Sequence, residues 1–75
     1  MTRIAGFAVA LDDQTIIESD GGKTWVCFRP VTEWQRRAIM AGGFKLSGRD
    51  DYRREDDAAG AARYVASTVR GGGVG

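Results

Sequence analysis

"TIIESDGGKTWVCFR", Thr15 to Arg29, is the stretch on which the fold turns. "TIIES" (15–19) reads as a short strand rich in β-branched residues. "DGG" (20–22) follows, and glycine supplies the positive φ that a tight hairpin turn needs. "KTWVCFR" (23–29) then alternates, with Trp25 and Cys27 opposite Val26 and Phe28. Period two is the strand signature, so this stretch is an antiparallel hairpin. Pro30 ends it by removing a backbone donor.

Working outward, "RIAGFAVAL" (3–11) also alternates: Ala5, Phe7, Val9 and Leu11 on one face, Ile4, Gly6, Ala8 and Ala10 on the other. "DDQ" (12–14) turns it into the hairpin. Downstream, "TEWQ" (32–35) fits a capping box, with Thr32 as N-cap and Gln35 reaching back. The helix runs through Ala41, with Gly42 as its C′ residue and Trp34, Ala38 and Ala41 as its inward stripe. "GFKLSG" (43–48) reads as a strand with Phe44 and Leu46 inward and Lys45 outward. "YRRE" (52–55) pairs back on it, and Asp56 caps a last helix over 57–70 that turns Ala58, Ala62, Val65 and Val69 inward.

The order β-β-β-α-β-β-α predicts an α+β fold, an antiparallel sheet with both helices packed on one face. Residues 1–70 form a single domain, and residues 71–75, "GGGVG", a flexible Gly-rich tail. The expected core is Ile4, Phe7, Val9, Leu11, Ile16, Val26, Phe28, Trp34, Ile39, Phe44, Leu46, Tyr52, Val65 and Val69. At about 1.5–3 kcal/mol per fully buried large side chain, such a set offsets the ordering of a small domain with little to spare.

The chain of 75 residues has net charge +1, so no global field argues for DNA, a membrane or an acidic substrate. Locally the signs cluster: net −2 over residues 1–28, +4 over 29–54 and −1 over the remainder. The single cysteine, Cys27, excludes an internal disulfide framework and suits a reducing cytoplasm. No apolar run reaches the length of a membrane span and the N-terminus has no secretory pattern, so the expectation is a cytoplasmic protein that makes no membrane contact.

Chemistry is sparsely supplied. Histidine, the usual base and metal ligand near neutral pH, is absent. Cys27 lies mid-strand and reads as an inert core or sheet-face thiol. The doublets Asp12–Asp13, Asp50–Asp51 and Asp56–Asp57 lack the ordered spacing of a hard-cation loop. "GGGVG" lacks the Lys–Ser/Thr of a phosphate loop, and "AGGFKLSG" follows a helix where such a loop would precede one. The expectation is a non-enzyme with no catalytic residue, metal or cofactor.

Two binding surfaces remain. Asp12, Asp13, Glu18, Asp20, Asp50, Asp51, Glu55, Asp56 and Asp57 lie mostly in turns, where carboxylates can meet a partner's arginines and lysines in charge-assisted bonds. Trp25 would be the apolar anchor, while alternation favours Tyr52 as core. Alternatively Arg36, Arg37, Arg49, Arg53 and Arg54 would grip nucleic-acid phosphate, with Arg29 and Lys45 beside them. The bland reading of both is a surface of cross-paired charges, each pair worth ~0–1 kcal/mol.

"RAIMAGGFKLSGRDDYRREDDAAGAARYVAS" (37–67) resembles a small module of phage and plasmid polyvalent proteins: a helix, Gly-Phe-Lys/Arg-Trp, a polar turn, an aromatic, then an Ala-rich helix with a late aromatic. The match falls on Gly43, Phe44, Lys45, Tyr52, Ala61, Ala62 and Tyr64; Leu46 and Tyr52 stand where that family has tryptophan. In size and style the chain is also similar to small phage and prophage anti-CRISPR proteins, in particular inhibitors of type I effector complexes, type I-C among them. That resemblance implies a non-enzymatic inhibitor in the host bacterial cell. It would bind a subunit of a CRISPR-Cas effector complex (Cascade) and block target-DNA, or PAM, recognition by DNA mimicry through acidic surface residues. The alternative is a small nucleic-acid-associated module using the basic residues of 29–54.

Overall fold

The computed structural model describes residues 6–71. The chain forms β1 (Phe7–Ala10), β2 (Thr15–Ser19), β3 (Thr24–Phe28), α1 (Glu33–Ala41), β4 (Lys45–Ser47), β5 (Asp51–Arg54) and α2 (Ala58–Tyr64). The last helix continues in a π-helical turn over Val65–Val69. All strand pairs are antiparallel, in the order β1-β2-β3-β5-β4. Both helices pack on one face, giving the α+β fold that the alternation implied.

Local chemistry explains the elements. Asp20 accepts from the backbone N–H groups of Gly22 (2.9 Å) and Lys23 (2.8 Å), closing the β2–β3 turn. Those bonds hold its carboxyl below the ordinary aspartate value. Thr32 caps α1 by accepting from the Gln35 N–H at 3.0 Å. Gln35 does not close the reciprocal half of a capping box on Thr32. Its Oε1 instead accepts from the N–H of Val31 at 3.0 Å and from Gln14 Nε2 at 2.8 Å, which ties the helix to the β1–β2 turn. At the other end of α1, Gly42 has φ −86° and the left-handed residue is Gly43, at φ 87°.

Asp57, rather than Asp56, caps α2, accepting from Gly60 N at 3.1 Å from a left-handed backbone with φ 52°. Asp is among the few residues other than glycine that visit this region. In the π-turn Arg70 N donates to Val65 O at 2.8 Å. Val65 and Val69 are both buried there.

The core comprises Val26 and Phe28 of β3, Tyr52 of β5, Ile39 and Phe44 at and after α1, and Ala61, Val65 and Val69 of the last helix. Six further residues assigned to the core are exposed: Phe7, Val9, Leu11, Ile16, Trp34 and Leu46. The reasons differ. Ile16 lies on the face of the sheet opposite the helices, in register with Cys27. Phe7, Val9 and Leu46 lie on the helix side but on the two edge strands, while the short helices bury the β3–β5 centre. Trp34 points off α1 because the helix turns Ile39 inward with Ala38, half-buried, beside it; of the expected stripe Ala38 packs on the core, while Trp34 and Ala41 are exposed. Ile4 and the tail residues 72–75 lie outside the described residues. No helix among the described residues is long and apolar enough to cross a membrane.

Candidate functional site

Cross-strand partners share a face, so the register defines what the helices leave uncovered. Ala10, Ile16, Cys27, Arg53 and Lys45 form one row across all five strands. Ala8, Glu18 and Trp25 form the next row. Trp25 is fixed at two points. Its Nε1–H donates to Glu18 Oε1 at 2.9 Å, and the Arg53 guanidinium stands 4.8 Å from its ring centroid. Glu55 holds Arg53 in turn, accepting from Nη2 at 2.7 Å, with Lys23 Nζ at 3.9 Å on its other oxygen. The indole is therefore half-buried and preset.

The Trp25 hydrogen bond, followed by that of Cys27, lowers the Glu18 pKa from the ordinary glutamate value. Because the folded value is the lower one, the stabilising contribution is complete at neutral pH and is lost as pH falls through that value. The Cys27 thiol donates to Glu18 Oε1 at 3.2 Å. Burial first, and the Glu18 carboxylate second, push that thiol up to about 12, which removes it as a nucleophile at neutral pH. Alkylation of Cys27 by iodoacetamide at pH 8 is expected to be slower by on the order of a thousandfold than that of a free cysteine, whose pKa is about 8.5. Glu18→Gln accelerates it without bringing it to the free-thiol rate, since burial persists. A native thiol that reacts as fast as in the urea-unfolded chain would contradict this geometry.

Beside Trp25 the uncovered face sinks into a concavity of about 410 Å³, with Ile16 and Cys27 among its lining and Asp12, Asp13, Glu18, Asp51 and Arg29 also contributing. A second concavity, also about 410 Å³, lies against β4 and brings Lys45, Arg53 and Arg54 close to Glu55 and Asp56.

The acidic residues singled out in the sequence separate between the two ends of the sheet. Asp12, Asp13, Asp50 and Asp51 gather where β2 and β5 begin, and Asp20, Glu55, Asp56 and Asp57 where those strands end. Several are committed to the fold. Asp12 accepts from Gln14 N (2.7 Å) and Thr15 Oγ1 (3.1 Å), and Arg70 reaches Asp12 at 3.4 Å and Asp13 at 3.9 Å. Asp20 closes the β2–β3 turn and Asp57 caps α2. Among the described residues, Asp50 and Asp51 form no ion pair.

The five arginines of the alternative divide as well. Arg36 and Arg37 pair with Glu33 on the surface of α1. Arg54 donates to the carbonyls of Gly42 and Asp56, both at 2.9 Å, and braces the fold. Arg49 is exposed in the β4–β5 turn, and only Arg53 joins the uncovered face. The sequence grouped Lys45 and Arg29 with the arginines and placed Ile16 in the core; the structure sets Lys45 directly opposite Arg53, and Ile16 and Arg29 beside the acidic residues. Strand parity carried the signal for Ile16, which alternates with Ile17 and so belongs with Glu18. The Lys45–Arg53 contact needed the β4–β5 register.

No family model, curated protein or solved structure matches the chain. The expected kinship with phage polyvalent modules and type I anti-CRISPR proteins is corrected accordingly: no match connects the chain to phage, to CRISPR-Cas or to DNA mimicry. At the two positions where that family has tryptophan, Leu46 is an exposed edge residue and Tyr52 a core residue, paired across β4 and β5. The carboxylates also divide between opposite ends of the sheet and form no continuous phosphate-like array.

Proposed function

We propose that this chain is a non-enzymatic, cytoplasmic protein-binding domain that receives a basic segment of a partner on the uncovered face of its sheet. The observation that carries the reading is the apposition of a preset aromatic anchor, Trp25, and an acid-rimmed concavity beside it. An arginine or lysine of the partner would enter among Asp13, Asp51 and Glu18, where charge-assisted bonds form, while an adjacent apolar side chain rests on Trp25 and Ile16. Presetting Trp25 lowers the ordering cost of association. The raised Cys27 pKa supports a binding role over nucleophilic chemistry, and a lone cysteine suits a reducing compartment.

Trp25 emission, read in a Trp34→Phe background, tests this. Titration with a short arginine-bearing peptide is expected to change the emission saturably, and Asp13→Lys with Asp51→Lys to weaken binding at least about tenfold, or ~1.4 kcal/mol. An acidic peptide of the same apolar content is expected to leave the emission unchanged. Equal affinity in the charge-reversed variant would refute the site.

One observation favours a second reading. Lys45 stands directly opposite Arg53, a like-charge pair that an anion would relieve, and Arg53 lies over Trp25. A single-stranded oligonucleotide that binds with steep salt dependence, and loses affinity on Lys45→Glu, would transfer the assignment to nucleic acid.

A further inference from the structure

We infer that β1 is a self-association edge, on which a second copy of this chain pairs antiparallel about a two-fold axis at Val9. Among the described residues, β1 has a neighbour on one side only. Residues 6–11 carry no charge and no proline, so the edge has none of the usual guards against pairing. Its helix-side face presents Phe7, Val9 and Leu11, each about half exposed (48%, 51% and 50%).

Hydrogen-bond parity selects the register. Leu11 N donates to Thr15 O at 2.8 Å, so Leu11 and, by alternation, Val9 and Phe7 turn their backbone groups toward β2. The N–H and C=O groups of Ala8 and Ala10 therefore face away from the sheet. An antiparallel copy centred on Val9 places Ala8 opposite Ala10 of the second copy, and Ala10 opposite Ala8. Four main-chain hydrogen bonds result, with no donor or acceptor mismatched.

The same register sets Phe7 against Leu11 of the second copy twice, and Val9 against Val9, all on one face. Aromatic–aliphatic cross-strand pairs of this kind stabilise a sheet. A charged partner strand would find no counter-charge on this edge, whereas the chain's own strand complements it in shape, apolar character and hydrogen bonding. The sheet becomes ten-stranded with all four helices on one side, and the uncovered faces that carry Trp25 become continuous. One strand pair buries less than the ~1,600 Å² of a standard interface, so the association is concentration-dependent.

Two measurements test this independently. Sedimentation velocity from about 10 µM to about 1 mM is expected to show a monomer–dimer equilibrium, consistent with a small interface. Val9→Lys, which sets two ammonium groups together at the axis, is expected to leave a monomer with unchanged circular dichroism. Separately, Val9→Cys is expected to form a disulfide-linked dimer under mild oxidation, because non-hydrogen-bonded antiparallel partners lie about 4.5 Å apart at Cα, within disulfide range. Leu11→Cys is expected not to cross-link, since its own counterpart lies about four strand residues, or ~14 Å, away. A strict monomer at the highest concentration, a dimer indifferent to Val9→Lys, or cross-linking that is equal at both positions overturns the proposal. Any of these would assign the edge to another occupant and leave the Trp25 face to its own titration.

Discussion

Phe28→Ala is expected to lower the unfolding free energy by about 3–5 kcal/mol, a large share of what a domain this small possesses. Phe28 is fully buried, and its strand pairs with both β2 and β5, opposite Thr15 on one side and Tyr52 on the other. Ile39 and Val65 of the helical layer belong to the same cluster, so truncation leaves a void that neither the sheet nor the helices can close without separating. With a urea m-value of about 1 kcal/mol/M, the midpoint moves by about 3–5 M or the variant is unfolded without denaturant. Phe7→Ala is the control: an equally large side chain, half exposed on β1, whose removal is expected to move the midpoint by less than about 1 M. Equal shifts for the two variants would place the core elsewhere.

Gly42→Ala is expected to destabilise by about 1–3 kcal/mol, for a reason unrelated to backbone conformation. At φ −86° the backbone accepts alanine, but a Cβ there would overlap the Tyr64 ring, which packs against the end of α1. The Tyr64 hydroxyl donates to Ala38 O at 2.7 Å, so the ring cannot withdraw without losing that bond. The loss of the bond adds about 0.5–1.5 kcal/mol. In a Tyr64→Ala background the sign is expected to reverse, with Gly42→Ala stabilising by about 0.4–1 kcal/mol through the entropy of the unfolded chain. Thermal melts of the four-member cycle give the coupling directly. Additive effects would show that the ring does not pack on Gly42. Gly43, at φ 87°, is the glycine that answers to backbone geometry.

The contrast between these two glycines shows where local reading stops. Tandem glycines after a helix identify its end, and the structure ends α1 there. Which glycine turns left-handed and which makes room depends on Tyr64, more than 20 residues away in the chain. Likewise, the period-two pattern correctly set Trp25 and Cys27 on the face opposite Val26 and Phe28, because parity is a property of the strand itself. It could not decide that Glu18 lies beside Trp25, or that β5 inserts between β3 and β4 and carries Arg53 onto the indole.

The sequence by itself determined the antiparallel hairpin, the two helices on one face and most of the central core. These follow from alternation, turn glycines and caps, all set within a few residues. Tertiary structure alone decided which apolar residues are buried and which charges meet. Phe7, Val9, Leu11 and Leu46 carry the same hydrophobic signal as Val26 and Phe28 but sit at or beside the edge strands, and the short helices bury only the centre of the sheet. Charge has no period of its own, so the division of the turn carboxylates between two ends, and the meeting of Glu18 with Trp25, arise only from strand order and register.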